Sequence, residues 1–179
     1  MNNENNLKAG SAPNAKEGTS SSNTQKSLGQ WLSYLESIHP SAIDMGLDRV
    51  KAVAQSMALS LTQSLVITVA GTNGKGTTCR LLEQAMLSQG KSVAVYSSPH
   101  LTDYRERVRY NGELPPANEF VKAFEFVEKS RKETEGDPIT LTYFEFGTLA
   151  AMKMMQSWAV DVVILEVGLG GRLDATNII

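Results

Sequence analysis

The apolar segment Leu65-Val66-Ile67-Thr68-Val69-Ala70 runs directly into Gly71-Thr72-Asn73-Gly74-Lys75-Gly76-Thr77-Thr78. This junction constrains the fold more than any other stretch of the chain. A continuous apolar run that ends at glycine predicts a strand buried on both faces, as in a parallel sheet. The residues behind the glycines predict a helix over 77–89, closed by Gly90 as the residue just past its end. Strand, glycine-rich turn and helix together open a βαβ unit.

The same alternation continues downstream. Val93 to Tyr96 is a second predicted strand and Val160 to Val167 a third. Between them lie a charged segment, Arg105 to Arg109, and a turn at Asn111-Gly112. A helix is expected from Pro116, with Phe120, Val121, Phe124 and Val127 on its apolar face, and another from Thr142 to Trp158. Upstream, Leu28, Trp31, Leu32, Leu35 and Ile38 form one apolar helical stripe, which Pro40 stops. A second helix is expected over 46–59, with Asp44 near its N-cap and Leu47, Val50, Ala54 and Met57 buried. The expected fold class is α/β: a parallel sheet flanked by helices, with right-handed crossovers. Only three strands are visible, so a hydrophobic sheet edge should be left uncovered.

Composition narrows the function classes. The chain has 179 residues, a formal net charge of −2 and 41% hydrophobic residues. A near-neutral balance argues against nucleic acid as a partner, because a basic domain would be needed. One cysteine, Cys79, rules out an intrachain disulfide and a cysteine-built zinc site. No run reaches the ~18 apolar residues of a membrane span and no apolar signal region follows Met1, so a cytoplasmic location is expected. Residues 1–27 are polar and rich in Asn and Ser, which predicts a disordered tail before a folded unit at 28–179.

The glycine loop is read as a phosphate cradle. Glycines let backbone N–H groups approach phosphate oxygens, and the following helix adds unpaired N–H groups and a partial positive charge. Lys75 would supply a full charge and Thr77 a hydroxyl facing Mg²⁺. The Walker A spacing is not met: Gly71 and Gly74 enclose only two residues, and Gly76 separates Lys75 from Thr77. The bland alternative is a plain βα turn with a solvated lysine.

Other segments collect on the same predicted edge. Ser97-Ser98-Pro99-His100-Leu101 follows the second strand, where ligands gather in open parallel sheets, although Ser-Pro alone is only a turn. Glu166 ends an apolar run, and a buried carboxylate demands a partner, either Mg²⁺ or a basic side chain; the loop favours the metal. Gly168 to Asn177 has the composition of a binding loop or of a mobile connection. Thr142-Tyr143-Phe144-Glu145 opens a helix, with Glu145 in its first turn. Asp44-Met45-Gly46-Leu47 reads alone as a helix cap. Cys79 is expected to be a small buried side chain and His39 a loop residue.

Taken in order, these segments resemble the folylpolyglutamate synthase/dihydrofolate synthase family, the folate branch of the Mur ligase superfamily. Gly-Thr-Asn-Gly-Lys is shared with the wider superfamily. Ser-Ser-Pro-His-Leu, Leu-Thr-Tyr-Phe-Glu and Gly-Leu-Gly-Gly-Arg-Leu-Asp-Ala-Thr-Asn are specific to the folate branch. The form is similar to the bacterial bifunctional enzyme, and the family uses the shorter phosphate loop. The resemblance implies a P-loop-containing Mur ligase-like central domain, incomplete at its C-terminus. It implies that Thr72, Asn73, Gly74, Lys75, Gly76 and Thr77 bind ATP, with Lys75 catalytic. It implies Mg²⁺ ligands at Ser98 and Glu166. It places Asp44, Met45, Gly46, Leu47, Thr142, Tyr143, Phe144, Glu145, Leu173, Asp174 and Ala175 around 7,8-dihydropteroate.

The implied reaction joins L-glutamate to dihydropteroate, or to tetrahydrofolate, through an acyl phosphate, in a cytoplasmic monomer without nucleic-acid or membrane partners. Family features beyond this sequence are a further metal-binding histidine, a carbamylated lysine and a C-terminal domain for adenine and glutamate. The 179 residues are therefore expected to be an inactive N-terminal portion. A muramyl-peptide ligase, a non-catalytic nucleotide-binding module and a small P-loop kinase are the competing readings.

Overall fold

The computed structural model describes residues 25–38, 46–134 and 136–179. Asp44, Met45 and His39 lie outside the described residues, as does most of the predicted tail. Helices α1 (Leu28–Ser37) and α2 (Asp48–Ser56) precede strand β1 (Leu65–Val69) and helix α3 (Lys75–Ser88). Strands β2 (Val93–Tyr96) and β3 (Val108–Tyr110) follow, then helices α4 (Ala117–Lys132) and α5 (Tyr143–Trp158) and strand β4 (Val162–Glu166). A short 3₁₀ turn, Ala175–Ile178, ends the described chain.

Local chemistry sets several boundaries. Helix α1 begins in a capping box: the Ser27 hydroxyl accepts from the Gln30 N–H at 3.3 Å, and the Gln30 side-chain oxygen accepts from the Ser27 N–H at 2.8 Å. Gln25 donates to Glu125 at 3.0 Å, and the Lys26 ammonium lies 4.3 Å from the centre of the Tyr34 ring. Residues 25–27, assigned to the tail by composition, thus contact the folded unit. Helix α2 is shorter than the predicted 46–59; Leu47 is its N-cap, and Ala58 turns to positive φ just past its end. Helix α3 starts two residues earlier than predicted, at Lys75. Gly74 can serve as its N-cap because its φ of 75° is open to glycine and strained for other residues.

The sheet order is β1-β4-β2-β3. β1, β4 and β2 are parallel, while β3 pairs antiparallel to β2, with Val108 opposite Tyr96 and Tyr110 opposite Ala94. The sheet is therefore mixed, which corrects the expectation of a purely parallel one. The sequence hid β3 because it has three residues with Arg109 at its centre, and its arginines read as a charged loop. β3 closes one edge of the sheet. β1 forms the other edge among the described residues, and it is not buried on both faces as predicted: Leu65 is 60% exposed and Thr68 is exposed. A strand with one neighbouring strand cannot be enclosed like β4, which lies between two and whose five residues are all buried.

Alternation along β2 and β4 divides the core in two. Ala94, Tyr96, Val163 and Leu165 face α1, α2, α4 and α5. Val93, Val95, Val162 and Ile164 face α3, with Val69 and Cys79. The result is a three-layer α/β/α unit. Each fully buried aliphatic side chain in it contributes about 1.5–3 kcal/mol of transfer free energy.

Candidate phosphate and carboxylate site

Because β1, β4 and β2 are parallel, their C-terminal ends share one edge. The phosphate loop leaves β1, the Ser97–Leu101 segment leaves β2, and the Gly168–Asn177 loop leaves β4. β4 lies between the other two, so its last residue, Glu166, sits between the phosphate loop and Ser98. The register pairs Val69 with Glu166, and the Val167 N–H donates to Val69 O at 2.9 Å.

Glu166 is only 5% exposed. Its parity along β4 matches Val162 and Ile164, so it points to the α3 side of the sheet. Its Oε2 accepts from the Ser98 N–H at 3.3 Å, and a Cβ built on Gly76 would lie 3.9 Å from that oxygen. Among the described residues no lysine or arginine pairs with it. Of the two partners weighed from sequence, the basic side chain is thus excluded for the described residues. The carboxylate and the Ser98 side chain fit a hard cation that takes its remaining oxygens from phosphate and water. Among the described residues no group of three His, Cys, Asp or Glu side chains could hold a metal alone.

The phosphate loop is set for an anion. Helix α3 has no side-chain cap at its N-terminus, so its first N–H groups have no partner within the helix. Thr72, Asn73, Gly76 and Thr77 are exposed around that end. Lys75 Nζ folds over the loop and donates to Gly71 O at 3.0 Å. One layer deeper, Cys79 is fully buried. Burial, then the charge of Glu166, pushes its thiol up to about 11, so it is the neutral core side chain expected from sequence.

The residues implied to surround the pteroate divide by role. The Thr142 hydroxyl accepts from the Glu145 N–H at 3.2 Å, and Glu145 Oε2 accepts from the Thr142 N–H at 2.7 Å. The other Glu145 oxygen takes the Arg49 guanidinium at 2.8 Å, so this buried carboxylate is held by a cap and an ion pair. Phe144 lies against Gly168, where a Cβ would come within 2.7 Å of the ring, which is why that backbone can approach so closely. Asp174 is buried and organises its own loop: it accepts from the N–H groups of Gly168, Leu169 and Thr176 and from the Thr176 hydroxyl. Ala175 is buried in the core, while Leu173 is exposed. Gly46 and Leu47 are half-buried beside α2. The 3₁₀ turn at Ala175–Ile178 packs on α2 and α5.

Sequence reasoning missed Arg49 and Arg107. Arg107 Nε donates to His100 Nδ1 at 2.9 Å, and its guanidinium carbon lies 5.4 Å from the ring centres of both Tyr104 and Tyr143. Burial raises the Tyr96 and Tyr104 hydroxyls above their ordinary range, with the nearby Arg107 charge opposing it. The only signal in the sequence was a charged stretch, which says nothing of which arginine turns inward.

No protein-family model matches the chain. It is 53% identical, over 152 residues, to dihydrofolate synthase/folylpolyglutamate synthase of Haemophilus influenzae, covering 85% of this chain and 33% of that protein. The structure matches Escherichia coli FolC in complex with DHPP and ADP with a TM-score of 0.81 and 52% identity, over 86% of this chain and 36% of the other. It also matches a bifunctional folylpolyglutamate synthase/dihydrofolate synthase with Mn, AMPPNP and L-glutamate bound, with a TM-score of 0.78 and 51% identity, over 86% and 36% of the two chains. The chain thus spans about a third of the length of the curated relatives it matches.

Proposed function

We propose, from its homology to the dihydrofolate synthase/folylpolyglutamate synthases, that this chain carries the nucleotide- and pteroate-binding part of an ATP-dependent ligase. The complete polypeptide joins L-glutamate to 7,8-dihydropteroate, and to tetrahydrofolate, in a cytoplasmic monomer. The placement of Glu166 between the phosphate loop and Ser98 carries this reading, because a site for carboxylate phosphorylation needs a phosphoryl cradle and a cation position side by side.

A carboxylate is a poor acyl donor because oxide does not leave. Its oxygen attacks the γ-phosphorus of ATP, the bond to ADP breaks, and an acyl phosphate forms. The glutamate amine then attacks the acyl carbon, loses a proton, and inorganic phosphate leaves. Lys75 and the N–H groups at the start of α3 hold the phosphates, and Thr72, Asn73 and Thr77 border them. Ser98 and Glu166 would hold Mg²⁺, which when bound supplies charge neutralisation. Tyr143 and Phe144 offer ring surface to the pterin. Catalysis is then mostly positioning and electrostatics.

ATP hydrolysis by the complete polypeptide, measured with dihydropteroate and L-glutamate added singly and together, tests the reading. Turnover that needs both, with a glutamylated product, is expected. Turnover that needs neither would overturn it.

A further inference from the structure

We propose that Arg109 is a positioning residue for the metal site: anchored on Glu83, it holds the Ser97 hydroxyl and so sets the backbone from which Ser98 meets Glu166. The inference rests on the ligase reading above and adds a supporting contact to its cation position.

Arg109 is the central residue of β3, and the register sets it opposite Val95. Val95 faces α3, so the Arg109 side chain lies on the α3 side of the sheet, the side to which Glu166 also points. There it meets Glu83, which is fully buried in the helix that follows the phosphate loop. Arg109 Nε donates to both Glu83 oxygens, at 3.0 and 3.2 Å. Its Nη1 donates instead to the Ser97 hydroxyl, at 3.4 Å. A guanidinium is planar and rigid, so fixing Nε on a buried acid also fixes the direction of Nη1.

Neutralising Glu83 does not require this arrangement, because Arg80 already reaches it at 2.8 Å. Nor is a buried ion pair an efficient way to stabilise a fold, since apolar side chains of similar volume often do as well. What the second arginine adds is the bond to Ser97, the first residue after β2. The Ser97 N–H donates to Arg107 O at 2.9 Å, so β3 and its approach grip this residue through backbone and side chain alike. The next N–H, that of Ser98, donates to Glu166 at the end of β4. Two consecutive residues are thus pinned from opposite sides, where the chain must present an oxygen to a cation. Mg²⁺ demands near-ideal placement of its ligands, so the grip on Ser97 bears directly on how well Ser98 serves.

The test is Mn²⁺ binding to the complete enzyme with AMPPNP, followed by paramagnetic resonance, together with hydrogen exchange of the Ser98 N–H in the metal-free enzyme. Arg109→Lys keeps a charge beside Glu83 and loses the fork, whereas Ser97→Ala removes only the hydroxyl. Each should weaken Mn²⁺ binding by roughly threefold to tenfold and speed the exchange, with a thermal midpoint near that of the wild type. Combined, they should weaken binding no further than Arg109→Lys alone, because both remove the same contact. Ser97→Ala leaves the buried pair intact and carries the test if the lysine variant does not fold. Mn²⁺ affinity within about twofold of the wild type, unchanged exchange, or losses that multiply in the double variant would overturn the role of Arg109 while the ligase reading stands. Failure of the wild-type enzyme to bind Mn²⁺ with AMPPNP would overturn both.

Discussion

The backbone N–H of Ser98 points at the carboxylate of Glu166, 3.3 Å away, although 67 residues separate them in the chain. The contact ties the loop after β2 to the end of β4 and fixes two oxygen-bearing side chains beside the phosphate loop. Glu166→Gln keeps the shape and removes the charge. The complete enzyme should lose about two orders of magnitude in turnover and need more Mg²⁺ for half-maximal rate. A magnesium titration checks this, and an unchanged requirement would remove Glu166 from the metal site.

Lys75 can be replaced with little structural consequence, since among the described residues its ammonium bonds to Gly71 O alone and its position opens a helix. Lys75→Ala should slow turnover of the complete enzyme by at least about a hundredfold while its thermal midpoint moves little. Near-normal turnover would refute a catalytic lysine.

Glu83 is fully buried in α3 and joins two arginines. Arg80 reaches it at 2.8 Å from a largely exposed position, and Arg109 at 3.0 Å from β3. The second pair links helix and sheet, so Glu83→Ala leaves Arg109 uncompensated. Urea denaturation should show a loss of about 3–5 kcal/mol. A loss below about 1 kcal/mol would mean that the link is not structural.

The loop 101–106 has a pH-dependent anchor. N–H groups of Leu101, Asp103 and Thr102, with the Thr102 hydroxyl, pull the Glu106 carboxyl down from 4.5 to about 2. A depressed carboxyl stabilises the fold above its ordinary value, and that contribution fades as pH falls from about 4.5 toward about 2. The Glu106 carboxyl carbon, followed by NMR, should titrate near the lower end of that window. Titration near 4.5 would show that the loop does not grip it.

Much of the site was legible along the chain. The phosphate loop, Ser98, Glu166 and the segment at Thr142 each lie at the end of an element whose apolar pattern is local. Helix α5 begins where Thr142 and Glu145 form their capping box, three residues apart. Gly90, just past the end of α3, was readable in the same way, whereas the need for glycine at 168 comes from the distant Phe144 ring. Pairwise strand order was not. No local pattern says that β4, last in sequence, inserts between β1 and β2, or that a short arginine-bearing segment becomes β3.

Sequence by itself determined the helices to within a few residues and the three apolar strands, because periodicity and caps act over a few residues. It also carried the resemblance to the dihydrofolate synthase/folylpolyglutamate synthases, because ordered motifs survive as text. Only the tertiary structure decided that Glu166 stands between loop and serine, that β1 is an edge, and that Arg107 rather than Arg105 or Arg109 turns toward Tyr143. Those outcomes depend on which strands share hydrogen bonds and which charges find acids across the fold, and both are settled by contacts between residues far apart in the chain.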